Sequence, residues 1–197
     1  MISAIVLAAG RSQRMGSLKP LLEVDGKTIL RRIIDLHRCA GVEDIVVVTG
    51  FQAADVEDEV KRAGARTVRN TMYDEGMFVS VRTGIRSLAK GTRAFFMHPA
   101  DVPFVQAGTL GLLLKGFRED DRTICIPCHQ GRGGHPPLIG TDHVYGISTW
   151  SGENGLGGYL REHRAETARI ETRDPFVCLD LDTPEDLADV LNLLHLP

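Results

Sequence analysis

The sequence lacks several features that would place the protein in a membrane or on nucleic acid. No apolar run approaches the roughly 18 residues of a membrane span, and no basic segment opens the chain as in a signal peptide. Neither charge sign dominates, since 23 Lys and Arg residues stand against 26 Asp and Glu residues. Phosphate contacts require an excess of positive charge, so nucleic acid is not an expected partner. We expect a cytoplasmic protein that contacts neither membrane nor nucleic acid.

Cysteine is also scarce. The four cysteines are Cys39, Cys125, Cys128 and Cys178. In a reducing cytosol they are expected to remain free thiols. Cys125, Cys128 and His129 spell the CxxCH pattern of haem c attachment, but that chemistry belongs to exported proteins, so a buried strand is the expected reading. A zinc site formed with His135 is the weaker alternative, because a clean second pair of ligands is missing.

What is present fits one ordinary globular unit. The chain has 197 residues, and domains hold roughly 100–200 residues, so we predict a single domain over residues 1–197. Hydrophobic residues make up 43% and charged residues 25%, a mixture that excludes disorder, collagen and coiled coil. No repeat, low-complexity segment or linker divides the chain.

Segments typical of strands alternate with segments typical of helices along the chain. We predict strands at residues 4–7, 45–48, 67–69, 94–97, 123–127 and 176–181, with 138–139 as a return partner. We predict helices at residues 28–39, 53–63, 79–88, 109–117, 156–163 and from Pro184 onward. This alternation predicts an α/β fold, with a mostly parallel sheet covered by helices on both faces. Ligands of such sheets bind at the carboxyl ends of the strands.

A loop rich in glycine and cations follows the first predicted strand. Gly10 and Gly16 allow the backbone to approach a ligand and to present N–H groups to anionic oxygens. Ala8 and Ala9 leave space for a flat base or a sugar. The cations of the loop are Arg11, Arg14 and Lys19. The alternative is an ordinary solvent-exposed loop that binds no ligand. The position of the loop directly after the first strand favours binding of a nucleoside triphosphate.

Two acidic sites fall at predicted strand ends. Asp101 follows the strand at residues 94–97, and a carboxylate there is a suitable Mg²⁺ ligand beside a triphosphate. An ordinary turn aspartate is the alternative. Asp180 and Asp182 share one face of the predicted strand at residues 176–181. Either could complete the metal sphere, and we favour Asp182 because it lies nearer the strand end.

The chain also resembles a known family. Residues 7–22, LAAGRSQRMGSLKPLL, closely resemble the opening signature of the MobA/MocA-like nucleotidyltransferases. Further similar segments are residues 70–77 with Ser80 and Gly84, residues 99–103, residues 131–136 and residues 180–187. The resemblance implies a Rossmann-like three-layer sandwich of the glycosyltransferase-A type, the fold of nucleotide-diphospho-sugar transferases, with Mg²⁺ as cofactor. The LAAG form is closest to the molybdenum cofactor cytidylyltransferase branch, which implies transfer of CMP from CTP to molybdopterin.

The resemblance also implies roles for individual residues. Catalytic roles fall on Arg14, Lys19 and Asp101, and metal binding falls on Asp101 and Asp182. Nucleotide contacts fall on Leu7, Ala8, Ala9, Gly10, Arg11, Arg14, Lys19, Asn70 and Ser80. His135 is expected either to contact the acceptor or to act as a structural turn residue, and His98 either to touch metal-bound water or to fill space.

Some positions depart from the family pattern on the acceptor side. Arg132 is one residue out of register with the family's RGHP stretch, and Glu153 and Gly158 replace an Asp and an Arg of its GD-x-GAR segment. Trp150 could stack on a ring system or pack in the core. Two alternatives stay open: a relative that uses GTP or a sugar phosphate, and a non-catalytic factor that hands molybdenum cofactor to a molybdoenzyme.

Overall fold

The computed structural model describes residues 1–12 and 15–194 of the chain. Its strands are β1 Ile2–Ala8, β2 Glu23–Val24, β3 Lys27–Thr28, β4 Asp44–Thr49, β5 Arg66–Arg69, β6 Ala94–Pro99, β7 Ile124–His129, β8 Arg132–Gly133, β9 Leu138–Gly140 and β10 Thr167–Glu171. Its α-helices are α1 Ile29–Cys39, α2 Ala53–Arg62, α3 Met77–Arg86, α4 Ala107–Glu119, α5 Val144–Thr149, α6 Gly155–Glu162 and α7 Pro184–Leu194. No helix in this described part is long and apolar enough to cross a membrane.

The main sheet is mostly parallel, as the alternation predicts. Its strand order is β10-β7-β9-β6-β1-β4-β5, and β8 extends it by pairing with β7. β1 lies parallel to both β4 and β6, whereas β9 runs antiparallel to both β6 and β7. The predicted return strand is therefore confirmed. The carboxyl ends of β1, β4, β5 and β6 consequently meet at one edge of the sheet.

Helices cover both faces of the sheet and complete three layers. Alternate residues of β1 enter different cores, because successive side chains of a strand point to opposite faces. Ala4 and Val6 pack in the core that also holds Ile33 of α1. Ile5 packs in the second core, together with Val81 and Ile85 of α3. Burial of each such aliphatic side chain stabilises the fold by roughly 1.5–3 kcal/mol.

Gly84 explains how closely α3 approaches the sheet. A β-carbon at this position would lie 2.4 Å from Cγ2 of Ile5 and 3.1 Å from Cγ2 of Val48. Only glycine fits without displacing these buried side chains. The glycine in the family-like segment thus serves the close packing of α3 against β1 and β4.

The predicted strand at residues 176–181 is wrong. Residues Pro175–Cys178 form a 3₁₀ helix instead, with Asp174 as its N-cap and Pro175 in its first turn. The Asp174 carboxylate accepts from the backbone N–H of Phe176 at 3.0 Å and from that of Gln106 at 2.8 Å. Capping and the fixed proline φ outweigh the alternating apolar pattern at Val177, Leu179 and Leu181.

The edge strand β10, Thr167–Glu171, was not predicted. It pairs in parallel with β7 and carries exposed Arg169 and Glu171. Charged side chains on an edge strand protect it from pairing with another chain, but they also hide the apolar alternation that identifies strands.

The start of α7 is confirmed. Thr183 Oγ1 accepts from the N–H of Asp186 at 3.2 Å, and the Asp186 carboxylate accepts from the N–H of Thr183 at 2.7 Å. This reciprocal capping satisfies backbone donors that would otherwise lack partners at the beginning of the helix.

Candidate active site

A cleft of about 410 Å³ opens at the carboxyl edge of β1 and β6. It is lined by Leu7, Ala8, Ala9, Gly10, Arg11, Ser12, Lys19, Pro20, Tyr73, Asp74, Met77, Ser80, Pro99, Ala100, Asp101 and Asp182. Most predicted site residues therefore share one cavity. Arg14, to which both a catalytic and a nucleotide-binding role are assigned above, lies outside the described residues.

Ala8 and Ala9 are buried at the base of the glycine loop. The N–H of Phe51 donates to the carbonyl of Ala9 at 3.1 Å, which ties the loop to the end of β4. Gly50 makes this approach possible, since a β-carbon there would lie 2.8 Å from the β-carbons of Ala9 and Tyr73. The loop is thus held against the sheet with Gly10 facing the cleft.

Lys19 is the buried cation of the cleft. Its side chain is only 11% exposed, and its Nζ donates to Oδ1 of Asp182 at 3.1 Å. The backbone N–H of Lys19 donates to Oγ of Ser12 at 3.1 Å, which fixes the start of the 3₁₀ helix Lys19–Leu21. A cation placed so deeply acts on a ligand with little solvent screening.

Arg11 is the more exposed cation of the cleft. Its guanidinium donates from two nitrogens to the two oxygens of Asp74, each at 2.8 Å. The same group lies 5.2 Å from the centre of the Phe51 ring and 5.6 Å from that of Tyr73. The hydrogen bond from Arg11 lowers the pKa of Asp74. In the structure, Arg11 is therefore already occupied by a carboxylate at the mouth of the cleft.

Asn70 does not line the cleft but orients a residue that does. It is buried, its Nδ2 donates to Oγ of Ser80 at 2.9 Å, and its Oδ1 accepts from the N–H of Met72 at 2.9 Å. Because the Ser80 oxygen accepts this bond, its own O–H is free to donate into the cleft. The segment at residues 70–80 thus contributes Ser80 directly and Asn70 indirectly.

Asp101 faces the cleft from the turn after β6. Its carbonyl accepts from the N–H of Leu181 at 2.7 Å, which joins this turn to the segment before α7. Burial raises the pKa of the Asp101 carboxyl, the Lys19 charge opposes that rise, and the Asp180 charge adds to it. Three charged groups from distant parts of the sequence therefore act on one another here.

Asp180 and Asp182 have different surroundings, although neither belongs to a strand. Asp182 binds Lys19 and lines the cleft, and its backbone N–H donates to Oδ2 of Asp186 at 2.9 Å. Asp180 is exposed, and its charge acts on both Asp101 and His135. The strand-end argument that favoured Asp182 no longer applies, but the cleft-lining position of Asp182 is a separate ground for the same choice.

His135 lies beside the same carboxylates. Its backbone N–H donates to the carbonyl of Val177 at 2.7 Å, and Gly134 packs so closely there that a β-carbon would lie 2.1 Å from that oxygen. Burial lowers the pKa of His135, whereas the charges of Asp180 and Asp101 raise it. Its Nδ1 is buried without a hydrogen-bond partner among the described residues. The His135 ring is therefore close to the carboxylates of the cleft but keeps its Nδ1 enclosed by the protein.

The donor set fits Mg²⁺. This ion usually binds one or two carboxylates and completes its shell with water and substrate phosphates. Asp101 supplies a partly buried carboxylate, with Asp182 and Asp180 near it, and Lys19 is the cation that now offsets their charge. Among the residues that the structure describes, no group of three or more His, Cys, Asp or Glu side chains could hold a metal alone. The site suits an ion that a nucleotide brings with it.

The CxxCH segment has a structural role. Cys125 and Cys128 are buried in β7, and burial raises the pKa of Cys125 to about 11. The absence of a metal-holding cluster within residues 1–12 and 15–194 also removes support for zinc at His135. Trp150 packs edge-on against Tyr159, with ring centres 5.6 Å apart, rather than standing alone in the cleft.

Sequence reasoning gave no role to Asp74, Tyr73 or Met77, all of which line the cleft. They lie in the family-like segment at residues 70–77, and that resemblance is the signal that could have identified them. Ser12 was also missed. Its φ of +50° places it at the bend of the loop, where its hydroxyl accepts from Lys19.

A glycine loop with the cations Arg11 and Lys19, opposed by carboxylates at the carboxyl edge of a mostly parallel sheet, is the arrangement expected of a nucleotidyltransferase. The chain belongs to the family of MobA-like NTP transferase domains, which matches residues 4–168. It is 26% identical over 188 residues to the molybdenum cofactor cytidylyltransferase of Escherichia coli K12, covering 94% of this chain and 93% of that protein.

Two further relatives widen this comparison. The phosphoenolpyruvate guanylyltransferase of Rubrobacter xylanophilus is 28% identical over 182 residues, covering 91% of this chain and 86% of that protein. A solved nucleotidyl transferase from Methanothermobacter superposes with a TM-score of 0.84 at 26% identity, covering 98% of this chain and 97% of that one. The predicted fold class and the predicted family are thereby confirmed.

Proposed function

We propose that the protein is a Mg²⁺-dependent cytidylyltransferase that moves CMP from CTP to the phosphate of molybdopterin or its molybdenum form. The observation that carries the proposal is the convergence of Lys19, Asp101 and Asp182 in one cleft below the glycine loop. The Escherichia coli relative, a molybdenum cofactor cytidylyltransferase that aligns with 94% of this chain, supports the choice of nucleotide and acceptor.

The glycine loop binds the nucleotide. The base and the sugar lie against the backbone near Ala8, Ala9 and Gly10. The Ser80 O–H donates a hydrogen bond to the base. Lys19 and Arg11 face the triphosphate, and the family resemblance assigns Arg14, which lies outside the described residues, to the same task. Arg11 exchanges its bonds to Asp74 for bonds to a phosphate group. A carboxylate and a phosphate each offer two oxygens that match the two N–H donors of the guanidinium.

The chemistry is an in-line displacement at phosphorus. A phosphate oxygen of the acceptor bonds to the α-phosphorus of CTP, the bond between that phosphorus and the bridging β-oxygen breaks, and pyrophosphate leaves with the electron pair. No protein nucleophile is required, because positioning and neutralisation of charge supply the rate enhancement. Lys19 neutralises the phosphates from within the cleft, where its low exposure limits screening by solvent.

Asp101 and Asp182 would hold the Mg²⁺ ion. When bound, the ion would supply positive charge, which would offset the repulsion between these carboxylates and the triphosphate. Asp180 is the alternative second ligand, and a matched pair of variants decides between them. D182N should weaken binding of Mn²⁺, used as a paramagnetic substitute, more than D180N does; the reverse order would assign Asp180.

The acceptor lies between His135 and the segment at residues 150–158. The His135 ring, which lies close enough to Asp101 and Asp180 to respond to their charges, supplies a polar contact. The neighbouring helix α6 begins against α3, where Gly155 approaches Phe78. The departures at Glu153 and Gly158 fall in this same region. Phosphorylated acceptors other than molybdopterin, such as a sugar phosphate, are tested in the pyrophosphate-release assay described below.

A GTP-using enzyme is the second candidate. The guanylyltransferase relative, which aligns with 91% of this chain, favours it, and the Ser80 hydroxyl can donate to guanine as well as to cytosine. A handover factor for a molybdoenzyme, which binds nucleotide without transferring it, is the third. The intact Lys19 and Asp101 favour an enzyme over this role.

One assay separates the candidates. The protein is mixed with Mg²⁺, reduced molybdopterin and each NTP in turn, and pyrophosphate is measured. Release with CTP supports the proposal, and release with GTP alone replaces it by the second candidate. Nucleotide binding without release, measured by calorimetry, replaces it by the handover factor.

A further inference from the structure

Two buried histidines lie behind the turn that presents Asp101. His98 and His37 each have 0% exposed surface. His98 is the residue before the last in β6, and His37 lies in α1, with the two ring centres 5.1 Å apart. The His37 ring also lies 5.2 Å from that of Phe96. Neither histidine lines the cleft, so the mechanism above does not use them directly.

The hydrogen bonds fix the tautomer of each ring. Nε2 of His98 lies 2.9 Å from the carbonyl oxygen of Val102, which can only accept, so this nitrogen carries the hydrogen. Nδ1 of His98 then accepts, and Nε2 of His37 donates to it at 2.9 Å. Nδ1 of His37 is left as a buried acceptor without a partner in the described part of the chain.

Burial keeps His98 neutral near neutral pH, since it lowers the pKa of this ring to about 4. Protonation would remove the acceptor that His37 requires. The pair therefore has one arrangement that satisfies both bonds, and this gives His98 a fixed orientation.

The bond from His98 closes the segment that we call the Asp101 turn, residues 98–102. Three other tethers hold this turn: the N–H of Val102 to the carbonyl of Pro99, that of Ala100 to Leu7, and that of Leu181 to Asp101. All three join backbone atoms. The His98 bond is the one tether in this set that depends on a particular side chain. It spans the turn from its first residue to Val102, and Asp101, within the turn, faces the cleft.

We propose that His98, oriented by His37, is a positioning residue that holds Asp101 where it binds the ion and faces the nucleotide. The proposal rests on the function proposed above, since it takes Asp101 as the ligand. It gives the buried pair a task that a space-filling residue would not have. Groups that hydrogen-bond directly to metal ligands typically contribute about 10–100-fold to metal affinity, and His98, which acts through the backbone of Val102, should fall at the lower end of that range.

The test compares His98→Leu with His143→Leu. His143 is also buried and hydrogen-bonded, to Thr123 at 2.6 Å and Tyr159 at 2.9 Å, but it lies outside the cleft lining. H98L should weaken Mn²⁺ binding, measured by electron paramagnetic resonance, about tenfold. H143L should leave it unchanged even if it lowers the free energy of unfolding equally.

Rescue by a conservative change provides the second arm. His98→Gln keeps an N–H that can reach the Val102 carbonyl, so it should recover part of the Mn²⁺ affinity that H98L loses. His37→Leu should act in the same direction as H98L with a smaller effect, because it works through His98. Equal loss in H98Q and H98L would remove the orienting bond from the explanation.

Hydrogen exchange of the peptide covering residues 98–104 separates this proposal from the proposed function. H98L should increase exchange in that peptide beyond the increase seen in H143L, whether or not the wild type binds metal. If the wild type fails to bind Mn²⁺, the proposed metal site fails, and exchange alone decides whether His98 holds the turn. Exchange and Mn²⁺ affinity in H98L that match H143L would overturn the proposal.

Discussion

The two sides of the cleft are built in different ways. The nucleotide side consists of β1, the loop after it and the segment at residues 70–80, and its charged groups already have partners, Arg11 with Asp74 and Lys19 with Asp182. The side that we propose for the acceptor consists of loops around residues 131–136, 150–155 and 174–180. There, polar atoms of His135 and Trp150 are buried without a partner among the described residues.

This difference indicates how each side meets its ligand. Under the proposed function, phosphates would replace the carboxylates that now pair with Arg11 and Lys19, so binding would exchange one set of charged contacts for another. On the other side, buried polar atoms without a partner cost folding free energy, so the polar groups there are less completely satisfied than on the nucleotide side. The two relatives described above differ both in the nucleotide and in the acceptor that their names give, so neither side of the cleft is identical across the family.

The largest effect should come from Asp101→Asn. We expect transfer, measured as pyrophosphate release, to fall about 10³-fold because the main metal ligand is lost. Retained turnover would remove Asp101 from the mechanism. It would also show that the nucleotide and the acceptor react without an ion held by Asp101.

Folding should not account for that loss. Burial raises the pKa of Asp101 in the folded state, so its charged form disfavours folding, and wild-type stability falls as pH rises through the raised pKa. D101N removes this dependence and should be as stable as the wild type or more stable near neutral pH. Urea unfolding at several pH values checks this.

Lys19→Met should reduce kcat/KM for the nucleotide about 10²-fold, since a cation with little screening is lost from the phosphates. Lys27→Met is the matched control, because Lys27 pairs with Asp35 at 3.0 Å outside the cleft lining. Equal behaviour of K19M and K27M in steady-state kinetics would contradict the assignment of Lys19 to the nucleotide side.

His135→Asn should raise KM for the acceptor about tenfold, the effect of losing one hydrogen bond to a charged group. Affinity for the nucleotide, measured by calorimetry, should stay the same. This result would show that His135 serves the acceptor and not the nucleotide. His163→Asn serves as the control, because His163 stacks on Tyr159 with ring centres 3.9 Å apart and is not part of the cleft lining. A change in nucleotide affinity in H135N would contradict that assignment.

The smallest effect should come from Asp74→Asn. Releasing Arg11 from its exposed ion pair should increase affinity for the nucleotide about threefold, because exposed pairs contribute little. Asp120→Asn breaks the pair with Arg122 elsewhere and should leave that affinity unchanged. Weaker nucleotide binding in D74N would show that Asp74 supports the site rather than competing for Arg11.

Sequence reasoning succeeded where the signal is local. The glycine loop and its cations follow β1 closely in the sequence. The cap of α7 involves only Thr183 and Asp186, so residues close in sequence are enough to predict both features. The same reasoning failed at residues 176–181. There the Asp174 carboxylate also binds Gln106, a residue 68 positions away, and no local pattern reveals that contact.

By itself, then, the sequence determined the alternation of strands and helices, the loop after β1 and the capped start of α7, because each depends on side-chain chemistry and periodicity over short stretches. Only the tertiary structure decided that Asp74 holds Arg11, that Asp182 holds Lys19, and that His37 orients His98 behind Asp101. These contacts join residues 61 to 163 positions apart. Side chains so distant in sequence meet because helices and loops from different parts of the chain pack around the same parallel strands.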